Sequence, residues 1–139
     1  MDNQYALIND VSFQDGSGNI DHVVLGPTGI FAIETKNQRG WIECNGDVWN
    51  GIVGKNPSMQ ARRNAVRISD VVSSWVQGVV VFTNRNVQLK IQNPIKVDVL
   101  KIEELAKYLA ERPRYFSSQE IEVMGEKILG RHNDLLLHS

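Results

Sequence analysis

The sequence predicts an α/β domain built on a mixed β-sheet flanked by helices, and three observations predict it. Two β-branched, apolar runs, Ile20–Leu25 and Ile30–Thr35, flank the turn-forming Gly26-Pro27-Thr28-Gly29 and read as the strands of a hairpin. An amphipathic stretch follows at 57–76, where Ala61, Ala65, Ile68, Val72 and Trp75 recur at three- and four-residue steps, the period of a helix. Gly78 then precedes the wholly apolar run 79–82, the pattern of a strand covered on both faces. Strand, helix and strand in that order form a crossover within a partly parallel sheet.

The remaining elements fit around this unit. Residues 5–13, "YALINDVSF", read as a strand, with a short helix as the alternative, and "DGSG" at 15–18 is a turn signal. Residues 37–51 place Trp41, Ile42, Val48 and Trp49 around Asn45-Gly46, a good hairpin dipeptide, so two short strands are expected there. Asn56 and Pro57 open the helix as N-cap and first-turn residue. No further Gly or Pro interrupts that helix before residue 76. Residues 84–93 read as a polar loop, 96–100 as a short strand, and 102–110 and 117–129 as helices. In the last, Ser117 and Glu120 have the spacing of a capping box. There are no internal repeats and no linker, so residues 1–139 are expected to form a single domain.

Composition bounds the function classes. A chain of 139 residues, 42% hydrophobic and 22% charged, can enclose one real core. No apolar run approaches the length of a membrane span, and the N-terminus lacks the pattern of a signal peptide. A lone cysteine, Cys44, forms no internal disulfide and suits a reducing, cytoplasmic setting. With His22, His132 and His138 scattered along the chain, a structural zinc site is not expected. The net charge of −1 conceals a division: residues 36–101 carry ten basic and four acidic side chains, whereas residues 1–35 carry five acidic and no Lys or Arg. The basic middle could meet phosphates or simply be a solvated face.

The chemistry-bearing candidates lie in the hairpin. If Pro27 and Thr28 form its turn, Gly26 faces Gly29 and, counting back along both strands, Asp21 faces Glu34. A four-residue loop gives the same register, whereas an odd loop or a bulge moves Asp21 away. Lys36 shares the face of Glu34 by the period of two. Opposed carboxylates repel, and burial worsens the repulsion. A shared proton, the lysine or a divalent cation could compensate. Mg²⁺ takes carboxylate oxygen, and the backbone carbonyl of Thr35 could add a ligand. Lys36 could orient or activate water, or stabilise negative charge. The plain alternative is a pair of strand-end carboxylates in water, with Lys36 as a surface partner.

Together with its surroundings this trio resembles the nuclease-related domain (NERD) family, part of the PD-(D/E)xK superfamily. The matching stretches are "GNIDHVVLGPTGIFAIETKNQRGWI" at 18–42, Trp49, "NPSMQ" at 56–60 and "GVVVFTN" at 78–84. They cover about the first two thirds of the chain in the family's order. The resemblance implies a restriction-endonuclease-like fold and a metal-dependent nuclease hydrolysing nucleic-acid phosphodiesters, with DNA as the favoured partner. It implies that Asp21 and Glu34 bind Mg²⁺ (or Mn²⁺), that Lys36 is the catalytic lysine, and that Gln60 is the polar residue supplied by the following helix. Members usually carry a helix before the first strand, with a further glutamate. No Glu precedes Glu34 here, so the chain is expected to lack that helix and to be a fragment of a longer protein, with its own activity open. An apolar strip left by a missing helix would favour a homodimer.

The alternatives are a non-catalytic nucleic-acid- or protein-binding module on the same fold, and a scaffold without a nucleic-acid role. Lys55, Arg63 and Arg67 are the candidates for contacting a phosphate backbone, with a solvated surface as the other reading. Trp41 and Trp49 are read first as covers of a sheet edge and second as base-stacking residues. His22 is expected on the opposite sheet face from Asp21. Ser117 and Ser118 are expected to cap a helix, and Cys44 to be structural.

Overall fold

The computed structural model describes residues 4–13 and 18–138, with side chains described as far as residue 130. Apart from Gly18, the expected turn at 15–18 lies outside the described residues, as do the side chains of His132 and His138. Eight strands and three α-helices are present among the described residues. They form a mixed α/β architecture consistent with a restriction-endonuclease-like fold.

Strands β1 (Ala6–Ser12), β2 (Asn19–Gly26) and β3 (Gly29–Lys36) form an antiparallel meander. Strands β4 (Gly40–Asn45) and β5 (Val48–Asn50) pair as a second hairpin, and helix α1 (Pro57–Val72) follows. Next come β6 (Gln77–Phe82), β7 (Val87–Gln92), β8 (Val97–Lys101), a 3-10 turn (Ile102–Glu104), α2 (Leu105–Ala110) and α3 (Ser118–His138). The main sheet has the order β1-β2-β3-β6-β8, with β3, β6 and β8 parallel. A smaller sheet has the order β5-β4-β7.

Strand alternation assigns the core. Ile30 and Ala32 of β3 face Ala65, Ile68 and Val72 of α1, with Ile121, Met124 and Ile128 of α3 beside them. Phe31 and Ile33 point the other way, into a cluster with Val79, Val81 and Leu109 of α2. Both faces of β3 and β6 are therefore covered, as the apolar run 79–82 implies. Ile68 is wholly buried, and truncating such a side chain to Ala costs about 2–5 kcal/mol. Gly78 lets α1 lie close to β6: a Cβ there would stand 2.8 Å from the Ala61 carbonyl oxygen.

Two expectations are corrected. The helix ends at Val72 and not at residue 76, because Ser73 takes a left-handed conformation (φ 56°) and its N–H bonds the Ser69 carbonyl. Trp75 therefore leaves the apolar stripe and is 69% exposed. The segment read as a polar loop at 84–93 contains β7, which runs parallel to β4. Its Val87, Leu89 and Ile91 alternate with Gln88, Lys90 and Gln92, a period-two signal hidden among polar neighbours. Among the described residues no helix is long and apolar enough to cross a membrane.

Candidate active site

Strand β3 ends on Glu34, Thr35 and Lys36, and parallel β6 lies beside it. Helix α1 belongs to the crossover between these strands, so its N-terminus comes back to the carboxyl end of β3. Open α/β sheets bind ligands at that end. Alternation puts Glu34 and Lys36 on the α1 face, with Ile30 and Ala32, and Thr35 on the other. Lys36 Nζ donates to Gln60 Oε1 at 3.0 Å and stands 3.8 Å from Glu34 Oε1. Gln60 is in the first turn of α1, where the helix dipole favours negative charge.

The hairpin keeps the expected register from Gly26↔Gly29 to His22↔Ile33. Asp21 is the next position out, level with Glu34. There its carboxylate turns to the chain end: Oδ2 accepts the Thr35 N–H at 3.0 Å and the Thr35 hydroxyl at 2.9 Å. Thr35 thus holds Asp21 with two donors, a role the sequence reading did not include. It could have been suspected from the spacing alone, since a carboxylate at a frayed ladder end is a ready acceptor for the N–H left unpaired.

Glu34 is a carboxylate at only 8% exposure. Burial raises its pKa above the ordinary carboxylate value, and the charge of Asp21 raises it further. Lys36 opposes this by charge and hydrogen bonding, and Lys55 adds a smaller opposing field. The site therefore combines a buried acid beside a second carboxylate with a cation held close by.

The small sheet and the exit of β6 position these groups. Asn56 caps α1 by accepting the Met59 N–H at 3.2 Å, and its Nδ2 donates to the Asp47 carbonyl at 2.8 Å. Arg62, one turn on, binds both Asp47 carboxylate oxygens, at 2.6 and 2.8 Å. The Trp49 indole donates to the buried Ser58 hydroxyl at 2.8 Å. The β4–β5 hairpin thereby clamps the first turns of α1. The Thr83 N–H, just past β6, bonds the Lys36 carbonyl at 2.9 Å and fixes the end of β3.

The candidates for phosphate contact divide. Lys55 and Arg63 are exposed and line a groove beside Gln60. The Arg67 guanidinium lies 3.9 Å over the Phe13 ring, which commits it to packing away from that groove. Trp49 is a structural cover, as read first, while Trp41 is exposed and bonds Glu43. His22 faces away from the site and pairs with Asn9 Oδ1 at 2.6 Å. The Cys44 thiol is buried against the Gly46 carbonyl, and burial raises its pKa. Ser117 and Glu120 exchange the two bonds of a capping box.

Among the described residues no three of His, Cys, Asp and Glu gather at one point as a metal cage. The donor set at the end of β3 is instead two carboxylates with a lysine between strand and helix. A family model described as "Nuclease-related domain" matches residues 1–83, which include Asp21, Glu34, Lys36 and Gln60. No curated protein and no solved structure shows a match.

Proposed function

The chain belongs to the nuclease-related domain family, and from that premise we propose that it is a metal-dependent nuclease that hydrolyses phosphodiester bonds, with DNA as its substrate. The observation that carries this reading is the meeting of Lys36 with Glu34 and Gln60 at the carboxyl end of β3, 3.8 and 3.0 Å away.

The residues present fit a magnesium or manganese ion. Both acids offer hard oxygen donors, and Mg²⁺ is commonly held by one or two carboxylates together with waters and substrate phosphate. Glu34 is buried beside a second carboxylate and under-compensated, which a bound cation would relieve. Asp21, whose Oδ2 is held by Thr35, has a second oxygen to give. When bound, such an ion supplies Lewis-acid polarisation of a phosphoryl oxygen.

The chain's own groups do the rest. Lys36 presents a cation to the negative charge that grows on the phosphoryl group as water attacks and the P–O bond breaks. Gln60 holds that ammonium in place through its side-chain carbonyl. The N-terminus of α1 adds the positive end of its helix dipole. Thr35 keeps the Asp21 carboxylate oriented.

The test is cleavage of end-labelled DNA in Mg²⁺ or Mn²⁺ against EDTA, for wild type and Lys36→Ala. Cleavage should disappear in EDTA and fall by about a hundredfold or more in the variant, with its melting temperature kept. Undiminished metal-dependent cleavage by Lys36→Ala would sink the mechanism. Salt-sensitive binding without turnover in either metal would favour a non-catalytic binding module.

A further inference from the structure

A groove of about 750 Å³ runs along the outer side of α1, from Lys55 and Gln60 to Trp75. Its floor is apolar: Met59, Val66 and Trp75 are all exposed large hydrophobic side chains. Its rim carries Lys55, Arg62, Arg63 and Lys96, and among the described residues no carboxylate lines it. Arg62 is engaged with Asp47, and the exposed Lys55 and Lys96 carry positive charge at the rim. Trp75 stands at the far end because Ser73 breaks the helix and turns the chain outward.

We propose that this groove is a subsite for an unpaired nucleic-acid strand, with bases on the apolar floor and phosphates along the basic rim. Charge selects the occupant: a cationic border without acids suits a polyanion better than an apolar helix of another protein. The exposed indole selects the unpaired form, because base faces are free to stack only outside a duplex. From Gln60 to Val72 the helix rises roughly 18 Å at about 1.5 Å per residue. That is the length of roughly five stacked nucleotides at the duplex rise of about 3.4 Å each, and of fewer in an extended strand. The groove opens beside the Lys36–Gln60 pair, so a strand lying in it leads directly to the candidate active site. The subsite rests on the proposed nuclease reading only for the class of its ligand.

The test is binding in EDTA, so that it does not depend on cleavage. Fluorescein-labelled (dT)10, (dT)3 and a blunt 12-base-pair duplex are titrated against wild type, Trp75→Ala and Trp75→Phe. Wild type should prefer (dT)10 to both other ligands. Trp75→Ala should weaken (dT)10 binding by about tenfold and duplex binding by less than about twofold, and Trp75→Phe should restore most of the loss. If Trp75→Ala does not fold, Val66→Ser and Lys96→Gln carry the same comparison. Unchanged (dT)10 affinity in the folded variants would overturn the subsite. So would a preference for duplex, or a Trp75 effect confined to self-association in sedimentation. A wild type that cleaves in Mg²⁺ but binds (dT)10 independently of Trp75 loses the subsite and keeps the nuclease reading. Trp75-dependent binding without any cleavage does the reverse.

Discussion

Glu34 places a carboxylate in a setting that disfavours its charge, and this has a definite pH signature. Its folded-state pKa is raised, first by burial and then by Asp21. The folded chain therefore holds a proton that the unfolded chain releases at a lower pH. In that window the native state binds more protons, so stability falls as pH rises from the unfolded value through the raised one. Glu34→Gln removes this loss. The variant should melt higher than wild type at neutral pH, with the difference shrinking towards pH 4, as thermal unfolding across that range would show. Millimolar Mg²⁺ at neutral pH should raise the melting temperature of wild type and not of Glu34→Gln, because only the native acidic pair offers the ion a site. Equal Mg²⁺ shifts in both proteins would remove Glu34 from the proposed ion site. Gln60→Ala should lower turnover less than Lys36→Ala does, since Gln60 acts on the reaction by holding the lysine.

At the scale of elements, the site depends on how α1 is seated. Its close approach to β6 requires Gly78, where a Cβ would press on the Ala61 carbonyl. A backbone atom cannot swing away as a flexible side chain can. Gly78→Ala should cost about 1–3 kcal/mol by overpacking, measured by urea unfolding, and should lower turnover by shifting Gln60 relative to Lys36. The other anchor is the Asp47–Arg62 pair. The Arg62 hydrogen bond lowers the Asp47 pKa below its ordinary 3.8. Its contribution is therefore present above that value and lost as pH falls through the depressed one. The pair is partly exposed, so Asp47→Ala should cost less than about 1 kcal/mol through the ion pair after solvent screening. Hydrogen exchange should show faster opening at the start of α1 in that variant and little change in α3.

Across the whole molecule, charge is distributed unevenly. Residues 36–101 carry ten of the chain's Lys and Arg side chains against four acids, and Lys55, Arg63 and Lys96 from that segment converge on one groove. Affinity for nucleic acid should fall log-linearly with salt, and Lys96→Gln should reduce the magnitude of that slope by about 1. Equilibrium binding at several salt concentrations measures it, and an unchanged slope would remove Lys96 from the phosphate path. Much of this architecture was legible in the sequence. The crossover, the hairpin register and the Asn56 cap followed from local pattern. The end of α1 did not, because neither Gly nor Pro marks it and Ser73 adopts a left-handed conformation unusual for serine. Strand β7 was missed because its alternation lies among Asn, Arg and Gln, and its partner β4 is more than forty residues earlier in the chain.

What the sequence determined by itself was the local geometry of the hairpin. Backbone stereochemistry makes a strand alternate, and a turn sets the register of its partners. Asp21, Glu34 and Lys36 therefore fall on one face by spacing alone. Tertiary structure decided what those neighbours became. Lys36 meets Gln60 across a separation of 24 residues, and no local rule sets that contact. It depends on α1 crossing back over the sheet, on Gly78 admitting the helix, and on the β4–β5 hairpin holding its first turns. The burial that raises the Glu34 pKa and the exposure of Trp75 at the end of the groove are likewise products of packing, which sums interactions from segments far apart in the chain.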